Sequence, residues 1–151
     1  MARRVSDAVL DQLKDEQVLL VFDGWCGVCT RFADWVRRRD TTGRVRLVPS
    51  QAPGVLEAVR LTRADVDREA WALDREGRSY AGAAAINRTL RELGGPWRVL
   101  ALAYALPGVK WCEDAGYRWF ATHRGSVSRW GVTPACERPD GACAADAPDQ
   151  S

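Results

Sequence analysis

The chain has 151 residues, 46% of them hydrophobic and 28% charged, with a formal net charge of +2. That is enough apolar material to bury one core without cross-links, and it excludes a disordered chain. Acids and bases alternate instead of collecting in one block, which argues against a dedicated nucleic-acid binder.

At the N-terminus Arg3 and Arg4 are followed at once by Asp7, Asp11, Lys14, Asp15 and Glu16, so no secretory signal is expected there. The most apolar later stretch, between Arg98 and Pro107, is far shorter than the roughly 20 residues of a membrane span. These features predict a cytoplasmic protein. In that compartment five cysteines stay mostly reduced, and a close pair points to catalysis or metal binding before a structural bridge.

In chain order, Val5, Val9, Leu10 and Leu13 recur at helical intervals and predict a leading helix over 1–16. The run VLLVF before Asp23-Gly24 suits a strand buried on both faces. Beyond the turn, Val28, Phe32, Trp35 and Val36 share one face of an amphipathic helix, which begins near Cys26 and ends in Arg37, Arg38 and Arg39. That arginine run suits a solvated helix end and the negative pole of the helix dipole.

A second strand follows at 44–49, parallel to the first because a helix joins them. One or two short helical pieces, an antiparallel hairpin made of AWALD and RSYA, and a helix closed by Gly94-Gly95 complete the pattern. From Pro96 the sequence reads as helices only, one to Leu106, a break at Pro107-Gly108, and another from Cys112 to about Ser128. An irregular surface tail is expected from 132 onward.

The order β, α, β, then β, β, α is a minimal thioredoxin-like core, predicted over 17–95, with a helical extension over 96–131. Within it, Cys26-Gly27-Val28-Cys29 lies where the first strand meets the first helix. Unpaired amides and the dipole at a helix N-terminus stabilise an anion, so Cys26 is the candidate nucleophile. Cys29, one turn on beside Val28 and Phe32, is the candidate resolving thiol and is expected to be the more buried sulfur. The reading requires that the two thiols face each other and that Cys26 be open to solvent.

Cys-x-x-Cys spacing also serves zinc sites, with Cys112, Cys136, Cys143 and His123 as the remaining conceivable ligands, but none of these forms a second tight pair. Redox chemistry is therefore preferred, and no cofactor or metal is assigned. The alternative is a non-catalytic binding module that holds zinc through Cys26 and Cys29.

The stretch DGWCGVC resembles the thiol-disulfide oxidoreductase DCC family, whose Asp-x-x-Cys-x-x-Cys signature reads here Asp23, Cys26, Cys29. The likeness extends through RRRDTTGRVRLVPSQAPG, GAAAINRTLRELGG and AGYRWFATHRGSVSRWG, most of the way from Val18 to Cys136. The resemblance implies a thioredoxin-like fold and dithiol exchange with a protein or small-molecule thiol or disulfide. Compared with thioredoxins, the buried acid before the motif is replaced by Leu20, and the cis-proline before the third strand by Glu69-Ala70.

Asp23 has two candidate roles, fixing the turn through backbone amides or taking the proton of Cys29, and the first is favoured. Trp25, Gly27 and Val28 are candidate substrate contacts, Trp25 as an apolar rim or as a cover over the core. His123, the only histidine, is assigned a surface or packing role. Cys136 and Cys143 are candidates for a mutual bridge or for receiving oxidising equivalents from the active pair.

Overall fold

The computed structural model describes residues 18–127 and 133–139, so the leading helix expected over 1–16 lies outside the described residues. Four strands form one sheet: β1 (Val18–Phe22), β2 (Val45–Pro49), β3 (Trp71–Asp74) and β4 (Ser79–Ala81), in the spatial order β2-β1-β3-β4. β1 pairs in parallel with β2, from Val18 opposite Val45 to Phe22 opposite Pro49, and antiparallel with β3. The β3–β4 hairpin closes the other edge, as its two strand-like runs predict.

β1 is apolar at every position because both of its faces are covered. Leu19 and Val21 pack with Val59, Leu61, Val66 and Leu73 under the short helices α2 (Val55–Val59) and α3 (Arg63–Arg68). Val18 and Leu20 point the other way, to Ala72, Ala85 and Phe32, beneath α1 (Gly27–Arg39) and α4 (Ala83–Leu93). Leu20 is fully buried, so an acid at this position would lie in an apolar layer. Asp40 joins α1 to β2 by accepting the amides of Arg44 (3.0 Å) and Val45 (2.8 Å), which fixes where the second strand starts.

The helical extension differs from its expected boundaries. α5 runs from Gly95 to Ala103, and α6 is one continuous helix from Pro107 to Val127. Pro107-Gly108 is the beginning of that helix and not a break ahead of a later one. Proline fits the first helical position because that amide has no intrahelical acceptor anyway.

The tail also departs from expectation. Residues 133–139 include a short 3₁₀ turn, Ala135–Glu137, that docks on the core. The Ala135 amide donates to Thr30 Oγ1 (3.1 Å), the Cys136 amide to the Gly24 carbonyl (3.0 Å), and Arg138 pairs with Asp34 at 2.8 Å. Among the described residues no helix is long and apolar enough to cross a membrane.

Candidate active site

Cys26 is the N-cap of α1. Its sulfur accepts the Cys29 amide at 3.3 Å, one of the donors that a helix start leaves without an intrahelical acceptor. No acid occupies the first turn, and the three arginines lie in the last one, so the dipole meets no opposing charge on its own helix. The two cysteine side chains also interact, each being the largest influence on the acidity of the other.

This interaction separates their acidities. Hydrogen bonding from Cys29 brings the Cys26 thiol down to about 7 in spite of burial. Cys29 moves far upward, first because it is the donor to Cys26 and then because of burial. The two acidities are displaced in opposite directions.

Accessibility differs from the sequence expectation. As a whole residue Cys26 is only 3% exposed, so the requirement that it be open to solvent is not met, while Cys29 is half-buried.

The turn ahead of the motif is held by Asp23 and a residue that sequence reasoning missed. Asp23 Oδ1 accepts the Trp25 amide (3.0 Å) and Gln51 Nε2 (2.9 Å), while Gln51 Oε1 accepts the Gly24 amide (2.9 Å). Gln51 comes from just beyond β2. The parallel register sets Pro49 beside Phe22, and the residues after each strand then meet. This was the one signal that could have found it.

Two further residues come from α6. Arg124 places Nη1 3.8 Å from Asp23 Oδ2 and donates through Nη2 to the Asp67 carbonyl. Its charge draws both thiols toward the thiolate, whereas Asp23 opposes that. Tyr117 accepts the Ala70 amide at 2.8 Å, and burial pushes its phenol up to about 12, so it stays neutral.

The Tyr117 contact occupies the backbone just before β3, the place of the cis-proline in thioredoxins. Among the described residues no peptide bond is cis. The Ala70 carbonyl in turn accepts the Gly82 amide at 2.9 Å. Both backbone groups of Ala70 are thus taken within the chain and are not offered to a substrate strand.

The predicted contact residues separate. Trp25, 36% exposed, lines an open depression of about 370 Å³ with Asp23, Gln51, Arg63 and Asp67. Gly27 is buried. Val28 lines a different groove of about 480 Å³ with Phe32, Trp35, Leu90 and Trp97. His123 is exposed and stacked on Trp119, in keeping with a surface role.

Cys26, Cys29 and Cys112 are free thiols, and Cys112 is exposed on α6. Cys136 is disulfide-bonded. Cys143 lies outside the described residues. Among the described residues no group of three or more His, Cys, Asp or Glu is placed to hold a metal ion.

A family model described as DCC1-like thiol-disulfide oxidoreductase matches residues 20–130. The chain belongs to this family. It is also similar to the uncharacterized protein YuxK of Bacillus subtilis (strain 168), with 27% identity over 107 residues that cover 70% of this chain and 77% of the relative. No solved structure matches. The family match contains the dithiol, Gln51, Tyr117 and Arg124, and ends before the docked 133–139 segment.

Proposed function

We propose that this DCC1-like protein is an enzyme exchanging disulfides through Cys26 and Cys29. The observation that carries the reading is the place of Cys26 as the helix N-cap, its sulfur accepting the Cys29 amide at 3.3 Å, with the second cysteine one turn on. Cys26 attacks a substrate disulfide and releases the first product thiol. Cys29 then loses its proton and attacks Cys26, which forms the Cys26–Cys29 bond and releases the second thiol. Asp23 acts as a positioning residue, because Oδ1 already holds two donors and Oδ2 faces Arg124.

Of the candidate contact residues, Trp25 stands at the rim of one depression and Val28 in the other, whereas Gly27 is buried. Because Cys26 is covered, productive encounter requires displacement of its cover, which favours a substrate that binds over the rim before reacting. The expected substrates are protein or small-molecule thiols and disulfides of the cytoplasm, handled without a bound cofactor.

The test is a pH titration of thiolate absorbance together with insulin reduction, on the wild type, Cys26→Ser and Cys29→Ser. A thiolate midpoint near 7 that Cys26→Ser removes, with turnover lost in both variants, is the expected result. An ordinary midpoint near 8.5, or stoichiometric zinc with no exchange activity, overturns the reading in favour of a binding module.

A further inference from the structure

We propose that the aromatic groove along α1 docks protein substrates through a short apolar segment bearing acidic residues, which brings their reactive cysteine to the Cys26/Cys29 dithiol. The inference rests on the proposed dithiol activity and names the substrate class that this site takes.

The part of the groove contributed by α1 is one helical stripe. Val28, Phe32 and Trp35 follow at four- and three-residue intervals, with Arg31 and Arg38 along the same face. Val28 belongs to the motif itself and is bonded in the chain to Cys29, so the first residue of the groove adjoins the dithiol. From Val28 to Arg38 the helix rises about 15 Å, at about 1.5 Å per residue. An extended peptide advances about 3.3 Å per residue, so about five residues of substrate span that length.

The aromatic walls brace one another. Trp35 stacks on Phe32 with ring centres 5.9 Å apart, and it meets Trp97 of α5 edge to face at 4.8 Å. The Arg39 guanidinium lies 4.5 Å over the Trp35 ring and 5.4 Å from the Trp97 ring. Buried Leu90 of α4 adds a further apolar surface. At about 480 Å³ the groove is of ligand-pocket size.

Charge selects the occupant. Among the described residues no acidic side chain lines the groove, whereas Arg31 and Arg38 both do and both are exposed. Asp34, the one acid of α1, is engaged by Arg37 and Arg138. A basic segment would meet these guanidinium groups with like charge, while an acidic one matches them as its apolar side chains cover the indoles. The depression at Trp25 has no such preference, because Asp23 and Asp67 share it with Arg63. The backbone before β3 is closed as well, since both polar groups of Ala70 are used within the chain. The α1 side of the dithiol is therefore the side that offers a substrate both apolar area and a sign of charge.

Two labelled peptides test the docking apart from the chemistry. Each has serine in place of the reactive cysteine and, within about five residues of it, either a Trp-Asp-Asp or a Trp-Lys-Lys run. Fluorescence anisotropy with the full-length wild type is expected to show the acidic peptide bound about tenfold more tightly, with the difference shrinking as salt rises. Arg31→Glu/Arg38→Glu should reverse the preference, and the milder Arg31→Gln/Arg38→Gln, a second variant should the reversal disturb the fold, should abolish it. Equal affinities in the wild type, or a preference that survives both double variants, overturns the proposal.

The same peptides with cysteine restored as a mixed disulfide with thionitrobenzoate report the exchange. The Cys26 thiolate attacks the peptide sulfur and thionitrobenzoate leaves as a thiolate; Cys29 then loses its proton and attacks Cys26, forming Cys26–Cys29 and releasing the peptide thiol. The acidic peptide should show about tenfold higher kcat/KM. Dithiobis-nitrobenzoate, which carries no peptide, tests the dithiol alone. If Cys26 reacts with that reagent but treats the two peptides alike, the docking groove is overturned while the dithiol reading stands. If Cys26 reacts with neither reagent nor peptides, the dithiol reading fails, and the substrate assignment with it.

Discussion

Two flanks of the β1–α1 turn are built by parts of the chain outside the α/β core, and they contribute different chemistry. On one flank α6 brings a charge and a hydroxyl, with Arg124 facing Asp23 and Tyr117 closing the Ala70 amide. On the other flank the 133–139 segment brings a sulfur and a set of backbone hydrogen bonds. The α6 flank falls inside the family match and the segment outside it. The difference teaches that the helix N-terminus supplies the basic anion preference, α6 adjusts it, and the segment braces the turn and the first helical turn from the other side.

The largest effect belongs to the helix N-terminus itself and separates it from both flanks. The folded-state value of Cys26 lies below its unfolded value of 9.0, at about 7. It therefore contributes stability that is present above pH 9 and lost as pH falls through 7. Two units correspond to about 2.7 kcal/mol, taken as an order of magnitude. Cys29 is displaced upward, so its contribution turns unfavourable above its unfolded value. Denaturant unfolding of reduced protein should show stability rising from pH 7 to 9 and then declining, with the rise absent in Cys26→Ser.

Gly24→Ala attacks the segment's flank. The added methyl meets the Cys136 sulfur at 2.6 Å and Pro49 Cβ at 2.9 Å, and the second contact cannot be relieved by a side-chain rotation. A loss of about 1–3 kcal/mol is expected, read as a thermal midpoint several degrees lower. An unchanged midpoint would show that the turn adapts freely.

Tyr117→Phe is the matching change on the α6 flank. It removes the acceptor of the Ala70 amide, and an unsatisfied buried donor costs about 1–3 kcal/mol. The lower part of that range is expected, because Tyr117→Phe leaves the neighbouring packing otherwise intact. Hydrogen exchange at Ala70 should accelerate without a comparable change at Gly24, which would keep the two flanks distinct.

Smaller effects bear on acidity alone. Arg124→Gln removes a charge that favours the Cys26 thiolate, and Asp23→Asn removes one that opposes it. The thiolate midpoint should move up in the first variant and down in the second, each by less than in Cys29→Ala, whose hydrogen bond is the largest cause. Equal directions in the two variants would refute the assignment of charge to this flank. Least of all, Arg138→Ala releases a partly exposed ion pair with Asp34 and should cost less than about 1 kcal/mol in urea unfolding.

Much of the fold is legible in the residues. The continuous apolar character of 18–22 announces a strand covered on both sides, and the 3.6-residue stripe of Val28, Phe32, Trp35 and Val36 announces the helix. The start of α6 is not legible in the same way, because Pro-Gly suits a break and a first helical turn equally, and tertiary packing chooses between them. Of the site, Asp23, Cys26 and Cys29 are legible as a group because their spacing acts through local backbone geometry. The low exposure of Cys26 is not, since it depends on the elements that pack around the turn.

The sequence by itself determined that a dithiol stands at the junction of a buried strand and an amphipathic helix, where the backbone presents amides without intrahelical acceptors. Only the tertiary structure decided that Gln51, Tyr117, Arg124 and Cys136 converge on that junction. Local order follows from the dihedral periodicities of neighbouring residues. Contacts across 27 or 47 residues depend on how separate surfaces pack, and no spacing within the chain encodes them.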